Sequence, residues 1–215
     1  PYYLDAMNKN NPAALNKAMD EFVERLAVHP WILIQLGNED HYYLEGGMFA
    51  EKDKGIPLTK QQYYQYYDMA AHMLKMKIEK RAIGEDRRKP ILLGQGIHLN
   101  SETWKEELGE DIKLIKKMKN IDGLSINAYL NPPQLYKVLT KYLSERLHMP
   151  IILGEFGWSR HNATLQTQHR FNRNIWLNLV QSMQQGHCAG GFVFAYSDKN
   201  EGEEALGSSE AFKAY

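Results

Sequence analysis

The sequence predicts an α/β fold of parallel strands alternating with helices, and three observations predict it. Long amphipathic runs rich in helix formers alternate with short apolar runs along most of the chain. The apolar runs are nearly continuous rather than alternating, as in parallel strands covered on both faces. They end in Gly, Asn, Glu or Tyr. A closed (β/α)8 barrel and an open doubly wound sheet both satisfy this pattern, and periodicity alone does not choose between them.

Taken in order, the first helix is expected from about Pro12 to His29, where Leu15, Met19, Phe22, Leu26 and Val28 keep an approximate helical spacing before Pro30 stops it. A buried strand from Trp31 to Leu36 follows, closed by Gly37-Asn38-Glu39. Four further strands are expected at Pro90 to Gly94, Leu124 to Tyr129, Ile151 to Glu155 and Gly191 to Tyr196. The intervening helices run from about Thr59 to Lys80, Ser101 to Lys119, Pro133 to Leu147 and Thr164 to Gln185. The tyrosine-rich stretch Gln61 to Tyr67 reads as helix packing, because no basic groove accompanies it as in a nucleic-acid stacking platform. After Asp198 the chain reads as a polar loop entering a short helix.

The 215 residues are enough for one domain, taken as 1–215. Twenty-six basic residues balance twenty-six acidic ones. There is therefore no global field to attract nucleic acid or an acidic membrane, and a neutral substrate fits better. Cys188 is the only cysteine, so no intrachain disulfide forms and cysteine usage does not report the redox compartment. No stretch approaches the roughly 20 apolar residues of a membrane span, and the first ten residues lack the pattern of a signal peptide. Asn162-Ala163-Thr164 matches the N-glycosylation pattern, which is short enough to arise by chance.

Ligands of parallel α/β folds meet the C-terminal ends of the strands, and two of these ends carry a glutamate. Glu39 follows Leu36-Gly37-Asn38, and Glu155 follows Ile152-Leu153-Gly154 ahead of Phe156-Gly157-Trp158. Either carboxylate alone has an equally good reading as a capping or salt-bridging group. Together they carry a resemblance. His29 to Asp40 (HPWILIQLGNED) resembles the acid/base strand of clan A glycoside hydrolases, in which an Asn-Glu pair ends the fourth strand of a (β/α)8 TIM barrel. Pro150 to Ser159 (PIILGEFGWS) resembles the seventh strand of that clan, which carries the nucleophilic glutamate. Gly190 to Lys199 (GGFVFAYSDK) is similar to strand eight of family 2 enzymes, which include β-galactosidases, β-glucuronidases and β-mannosidases, although Phe194 and Tyr196 stand where those enzymes often carry tryptophan.

The resemblance implies strands four to eight of a barrel, with about three βα units not in view. Five strands alone would leave two sheet edges unpaired. The expectation is that an N-terminal segment or a second chain completes the barrel, and that these residues alone do not form a stable closed domain. The implied activity is retaining hydrolysis of a β-linked glycoside. Such enzymes place two carboxyl groups about 5–5.5 Å apart, one attacking the anomeric carbon while the other protonates the leaving oxygen. The resemblance assigns Glu155 as nucleophile, Glu39 as acid/base and Tyr129, near the end of strand six, as a hydrogen-bond donor to the nucleophile. Around the sugar are expected Asn38 against the 2-hydroxyl, Asn127, Phe194 and Tyr196, and Trp158, which is better read as stacking on a sugar than as packing beneath its loop; His98, past the end of strand five, lines the pocket or is a hydrogen-bonded structural histidine. Tyr42 and Tyr43 in the loop after Glu39 stack on sugars or pack beneath their own loop.

No cofactor is implied. The eight histidines show no HExxH spacing, Gly94-Gln95-Gly96 lacks the third glycine of a dinucleotide fingerprint, and no phosphate loop occurs. The partner is a carbohydrate, and a polysaccharide would place the protein outside the cell or in the periplasm. The alternatives are a non-catalytic carbohydrate-binding barrel and a transglycosylase on the same scaffold. An esterase is disfavoured by the absence of a Gly-x-Ser-x-Gly elbow.

Overall fold

The computed structural model describes residues 11–28, 33–40, 44, 58–81, 90–100, 103–157 and 164–194. The described elements alternate throughout: α1 (Pro12–Val28), β1 (Leu33–Gln35), α2 (Lys60–Lys80), β2 (Ile91–Leu99), α3 (Trp104–Ile115), β3 (Gly123–Ala128), α4 (Gln134–Leu147), β4 (Ile151–Phe156), α5 (Leu165–Gln184) and β5 (Gly190–Val193). The five strands lie in one sheet in the order β1-β2-β3-β4-β5. A doubly wound sheet reverses its strand order at a switch point, and this sheet has no reversal among its described strands. Sequential order is that of a barrel wall.

The chain divides into two compact units, Pro1–Gln95 with Glu110–Leu124, and Gly96–Gly109 with Ser125–Tyr215. In the first unit, β1 pairs in parallel with β2, Leu33 facing Ile91 and Gln35 facing Leu93. Helix α1 buries Leu15, Met19, Val23 and Leu26, so Val23 takes the core position expected of Phe22. The side chain of Lys77 on α2 reaches Asp20 on α1 at 2.7 Å, and Arg81 reaches Glu24. Helix α2 begins with a capping box, in which the Thr59 hydroxyl accepts from the Gln62 amide while the Gln62 side chain accepts from the Thr59 amide. Its buried stripe is Tyr63, Tyr64, Tyr67, Ala70, Ala71, Leu74 and Ile78. The tyrosines are therefore core residues, as the sequence predicts, and each finds a polar partner for its phenol. Tyr64 donates to buried Asp111 of α3 at 2.6 Å, and Lys60 neutralises the same carboxylate at 3.0 Å.

In the second unit, every residue of β3 is buried, which accounts for its continuous apolar reading apart from Ser125 and Asn127. Helix α4 buries Tyr136, Leu139, Thr140, Leu143 and Leu147, and packs on α5 with Thr140 and Ser182 sharing a 2.6 Å hydrogen bond. Thr164 caps α5 by accepting from the Thr167 amide.

Two boundaries differ from the sequence reading. Strand β2 runs on through Gly94-Gln95-Gly96 to Leu99 instead of ending at Gly94, so His98 lies inside the strand and not beyond it. Glycine weakens a strand but does not end one when neighbouring strands supply the pairing; here the Asp122 and Tyr129 amides donate to Leu92 and Leu99 at the two ends of β2. Helix α3 is shorter than expected, ending at Ile115. Among the described residues no helix is long and apolar enough to cross a membrane.

Candidate active site

Glu155 is the fifth residue of β4, and side chains alternate faces along a strand. Phe156 is turned towards the helices, its ring edge-on to Trp176 of α5 and Tyr136 of α4 at centroid distances of 5.2 and 6.1 Å. Glu155 itself is half-buried. The pairing of β4 with β5 is irregular just here: Leu153 faces Gly191, but Phe156 faces Val193, so β4 carries one extra residue between them. A bulge at this point re-aims the side chain it carries, and bulges concentrate beside active sites for that reason.

The residues around Glu155 explain the Glu-Phe-Gly sequence. A Cβ on Gly157 would lie 2.5 Å from the Phe194 carbonyl oxygen, and the Phe194 amide donates to the Phe156 carbonyl at 2.8 Å. Only glycine allows β4 and the end of β5 to approach this closely. Gly191 has a similar cause, since its Cβ would meet the Leu153 Cβ at 3.0 Å and the Phe156 ring at 3.1 Å.

Tyr129, just past β3, donates its phenol hydrogen to Glu155 Oε2 at 2.7 Å. This is the contact expected of it. His98 on β2 lies against the Tyr129 ring, 5.4 Å between centroids with the planes 33° apart. Asn127 is fully buried two residues before Tyr129, hence on the same face of the strand. The structure thus brings His98, Tyr129 and Glu155 together, and Asn127 is buried within β3. Phe194 follows β5 and is 42% exposed, leaving its ring accessible. Trp158 and Tyr196 lie outside the described residues, as do Tyr42 and Tyr43.

The sequence reading missed Tyr136. Fully buried on α4, its phenol donates to the Ala128 carbonyl at 2.8 Å and accepts from the Leu130 amide at 3.2 Å. It grips the backbone on both sides of Tyr129 and so fixes where that side chain starts. Burial holds this phenol above its ordinary value, which keeps it a donor.

Glu39 belongs to the first unit, in the turn that follows β1, and is half-buried. Its φ is 53°, in the left-handed region that side chains other than those of Gly, Asn and Asp rarely enter. Asn38 is exposed beside it, with its Oδ1 accepting from Gln35 Nε2 at 3.2 Å; the same nitrogen donates to the Gly37 carbonyl at 2.7 Å. A Cβ on Gly37 would lie 1.9 Å from Asp40 Oδ2, so the Gly-Asn-Glu-Asp order follows from the fold of the turn. Asp40 itself is buried and accepts from Tyr63 at 3.1 Å.

Among the described residues no group of three or more His, Cys, Asp and Glu side chains is placed to hold a metal ion. Neither a family model nor a curated protein matches the chain. Solved structures do. A hyperthermophilic β-glucosidase mutant matches over 94% of this chain and 58% of its own, at 15% identity and a TM-score of 0.55. One of two fungal β-1,4-galactanases matches over 86% and 58%, at 13% identity and 0.59. The GH53 catalytic domain of Ignisphaera aggregans matches over 84% and 54%, at 16% identity and 0.55. Identities this low speak for the fold, which is part of a (β/α)8 barrel. The chain spans between half and three-fifths of the length of these structures.

Proposed function

We propose that the chain contributes the acid/base and nucleophile strands of a retaining glycoside hydrolase that cleaves a β-linked glycoside by double displacement. The observation that carries this reading is the 2.7 Å hydrogen bond from Tyr129 to Glu155 at the C-terminal end of β4, where a bulge turns the carboxylate out of the strand. A nucleophilic carboxylate must present one oxygen to the anomeric carbon while the other is held. Tyr129 holds Oε2 and so fixes the orientation in which the Glu155 carboxylate attacks. The glycosyl–carboxylate ester forms as the bond to the leaving oxygen breaks, and Glu39 gives its proton to that oxygen. Glu39 then takes a proton from the water that cleaves the ester, releasing the sugar with its configuration retained. Asn38, whose carbonyl end is engaged by Gln35, offers its amide hydrogens to a sugar hydroxyl. His98, Asn127 and Phe194 line the sugar site from the other strands. That solved barrels with glycosidase names share this fold supports the reading.

The finer likeness to family 2 enzymes rests on Gly190-Gly191-Phe192-Val193. Gly191 has a packing reason of its own against Leu153 and Phe156, so this segment does not choose the sugar.

The test uses the full protein, a panel of nitrophenyl β-glycosides and a fluorosugar inactivator. The parent turns over at least one glycoside with retention, and the inactivator labels Glu155. Glu155→Gln abolishes labelling, whereas Glu39→Gln is labelled still by a reagent with a very good leaving group. Labelling of Glu39 would reverse the roles, and no turnover and no labelling would leave a binding barrel as the better reading.

A further inference from the structure

Glu39 occupies a backbone conformation that a glutamate does not adopt unaided and that persists only where the surroundings over-determine it. Four hydrogen bonds in the first unit supply that determination, and three of them involve the tyrosines of α2. Tyr63 Oη donates to Asp40 Oδ2 at 3.1 Å, and the Asp40 carboxylate lies against Gly37, closing the turn across Glu39. Tyr67 Oη accepts from the Leu36 amide at 3.2 Å and donates to the Leu93 carbonyl at 2.7 Å, tying the start of the turn to the neighbouring strand. Gln35 holds the Gly37 carbonyl from the other side at 2.7 Å. All of Tyr63, Tyr67 and Asp40 are buried, with Tyr63 and Tyr67 no more than 1% exposed. A buried carboxylate and two buried phenols are costly to place in a core, and apolar side chains would fill the same space without that cost. A reason beyond packing is therefore needed.

We infer that Tyr63, acting through Asp40, and Tyr67, acting through the Leu36 backbone, are positioning residues that hold Glu39 in its left-handed turn. This rests on the reading of Glu39 as the acid/base residue. Proton transfer falls off when the donor is displaced from the leaving oxygen by as little as 1 Å, so a turn that relaxes removes acid catalysis without touching the nucleophile. Burial raises the Tyr67 phenol above its ordinary value, and it remains a donor throughout the working range.

Tyr63→Phe and Tyr67→Phe, singly and together, keep ring volume while removing the hydroxyls. Two measurements on the full protein test the inference. In crystal structures, residue 39 of the double variant, or of either single variant should the double not fold, leaves the left-handed region; a φ that stays there in every variant overturns the inference, whatever the catalytic result. In kinetics, kcat/KM for an unactivated alkyl glycoside falls by about 100-fold, while that for a dinitrophenyl glycoside stays within about threefold, because the second needs no proton from Glu39. Azide, which replaces base-assisted water in breaking the glycosyl ester, restores kcat with the activated substrate. A merely structural role would lower both substrates in parallel and would not respond to azide, and that outcome also overturns the inference. A parent protein without turnover would count against the glycosidase reading alone, and the crystal structures would still decide whether the tyrosines hold the turn.

Discussion

The Tyr129 phenol donates to a Glu155 carboxylate oxygen at 2.7 Å, and on the proposed reading this contact orients the nucleophile. Hydrogen bonds to charged groups are worth about 1.5–3 kcal/mol, so Tyr129→Phe is expected to lower kcat/KM by about 10- to 100-fold. The check is steady-state kinetics beside a thermal melt, and an unchanged kcat/KM with an unchanged melt would remove Tyr129 from the machinery. Glu39, Glu155 and Tyr129 were legible in the sequence because each sits in the few residues that end a strand, where a polar side chain is out of character with the apolar run before it. Tyr63, Tyr67 and Tyr136 were not. Their partners Asp40, Leu93 and Ala128 lie on other elements, and periodicity places a tyrosine on a buried face without saying which backbone group its hydroxyl will find. The left-handed φ of Glu39 was equally hidden, since the local signal of such a position is a glycine or asparagine, and the turn instead puts these residues at 37 and 38.

At the scale of elements, helices were the more legible, because each carries its own period and some carry a threonine cap as well. Thr59 and Thr164 cap α2 and α5 at the positions expected. Strand ends were less so, since β2 runs through two glycines that read as a stop. The bulge in β4 had only Gly154 as a local hint, for an extra residue exists only relative to β5. Glycines inside elements give the sharpest contrast. Gly109 sits in the interior of α3 with nothing within 4 Å of an added Cβ, so Gly109→Ala is expected to stabilise by about 0.5–1 kcal/mol through helix propensity. Gly157 faces a carbonyl at 2.5 Å that belongs to the backbone and has no rotamer to escape into, so Gly157→Ala is expected to destabilise by about 1–3 kcal/mol. Urea melts of the two variants should move in opposite directions from the parent. Equal shifts would mean that the β4–β5 approach is looser than the geometry indicates.

At the scale of the whole molecule, the sheet order settled what periodicity could not, since a barrel wall and a doubly wound sheet share their local patterns and differ only in which strands are neighbours. The same scale carries a prediction about alkaline stability. Among the described residues each compact unit has a buried helix tyrosine bonded to backbone where a strand ends, Tyr67 to the Leu36 amide just past β1 in the first and Tyr136 to the Ala128 carbonyl in the second. Burial is the main cause that raises both phenols above the ordinary value of 10.0, against smaller lowering from their backbone hydrogen bonds. Below that value folded and unfolded chains hold the same phenolic protons, and these groups add no pH dependence. Above it the unfolded chain releases them while the folded chain keeps them. Stability is then lost at about 1.4 kcal/mol per pH unit for each tyrosine, a loss that continues towards the raised folded value. For a chain of this size that corresponds to about 3–5 °C in Tm per pH unit and per tyrosine. Melts recorded from about pH 8 to about pH 11 should be level at first and then fall. Tyr67→Phe and Tyr136→Phe lower Tm at neutral pH by removing hydrogen bonds, but each should also flatten the alkaline slope, and the slope is the quantity that isolates the phenol. An alkaline slope unchanged in both variants would mean that lysines, and not these two buried tyrosines, govern how the fold is lost in base.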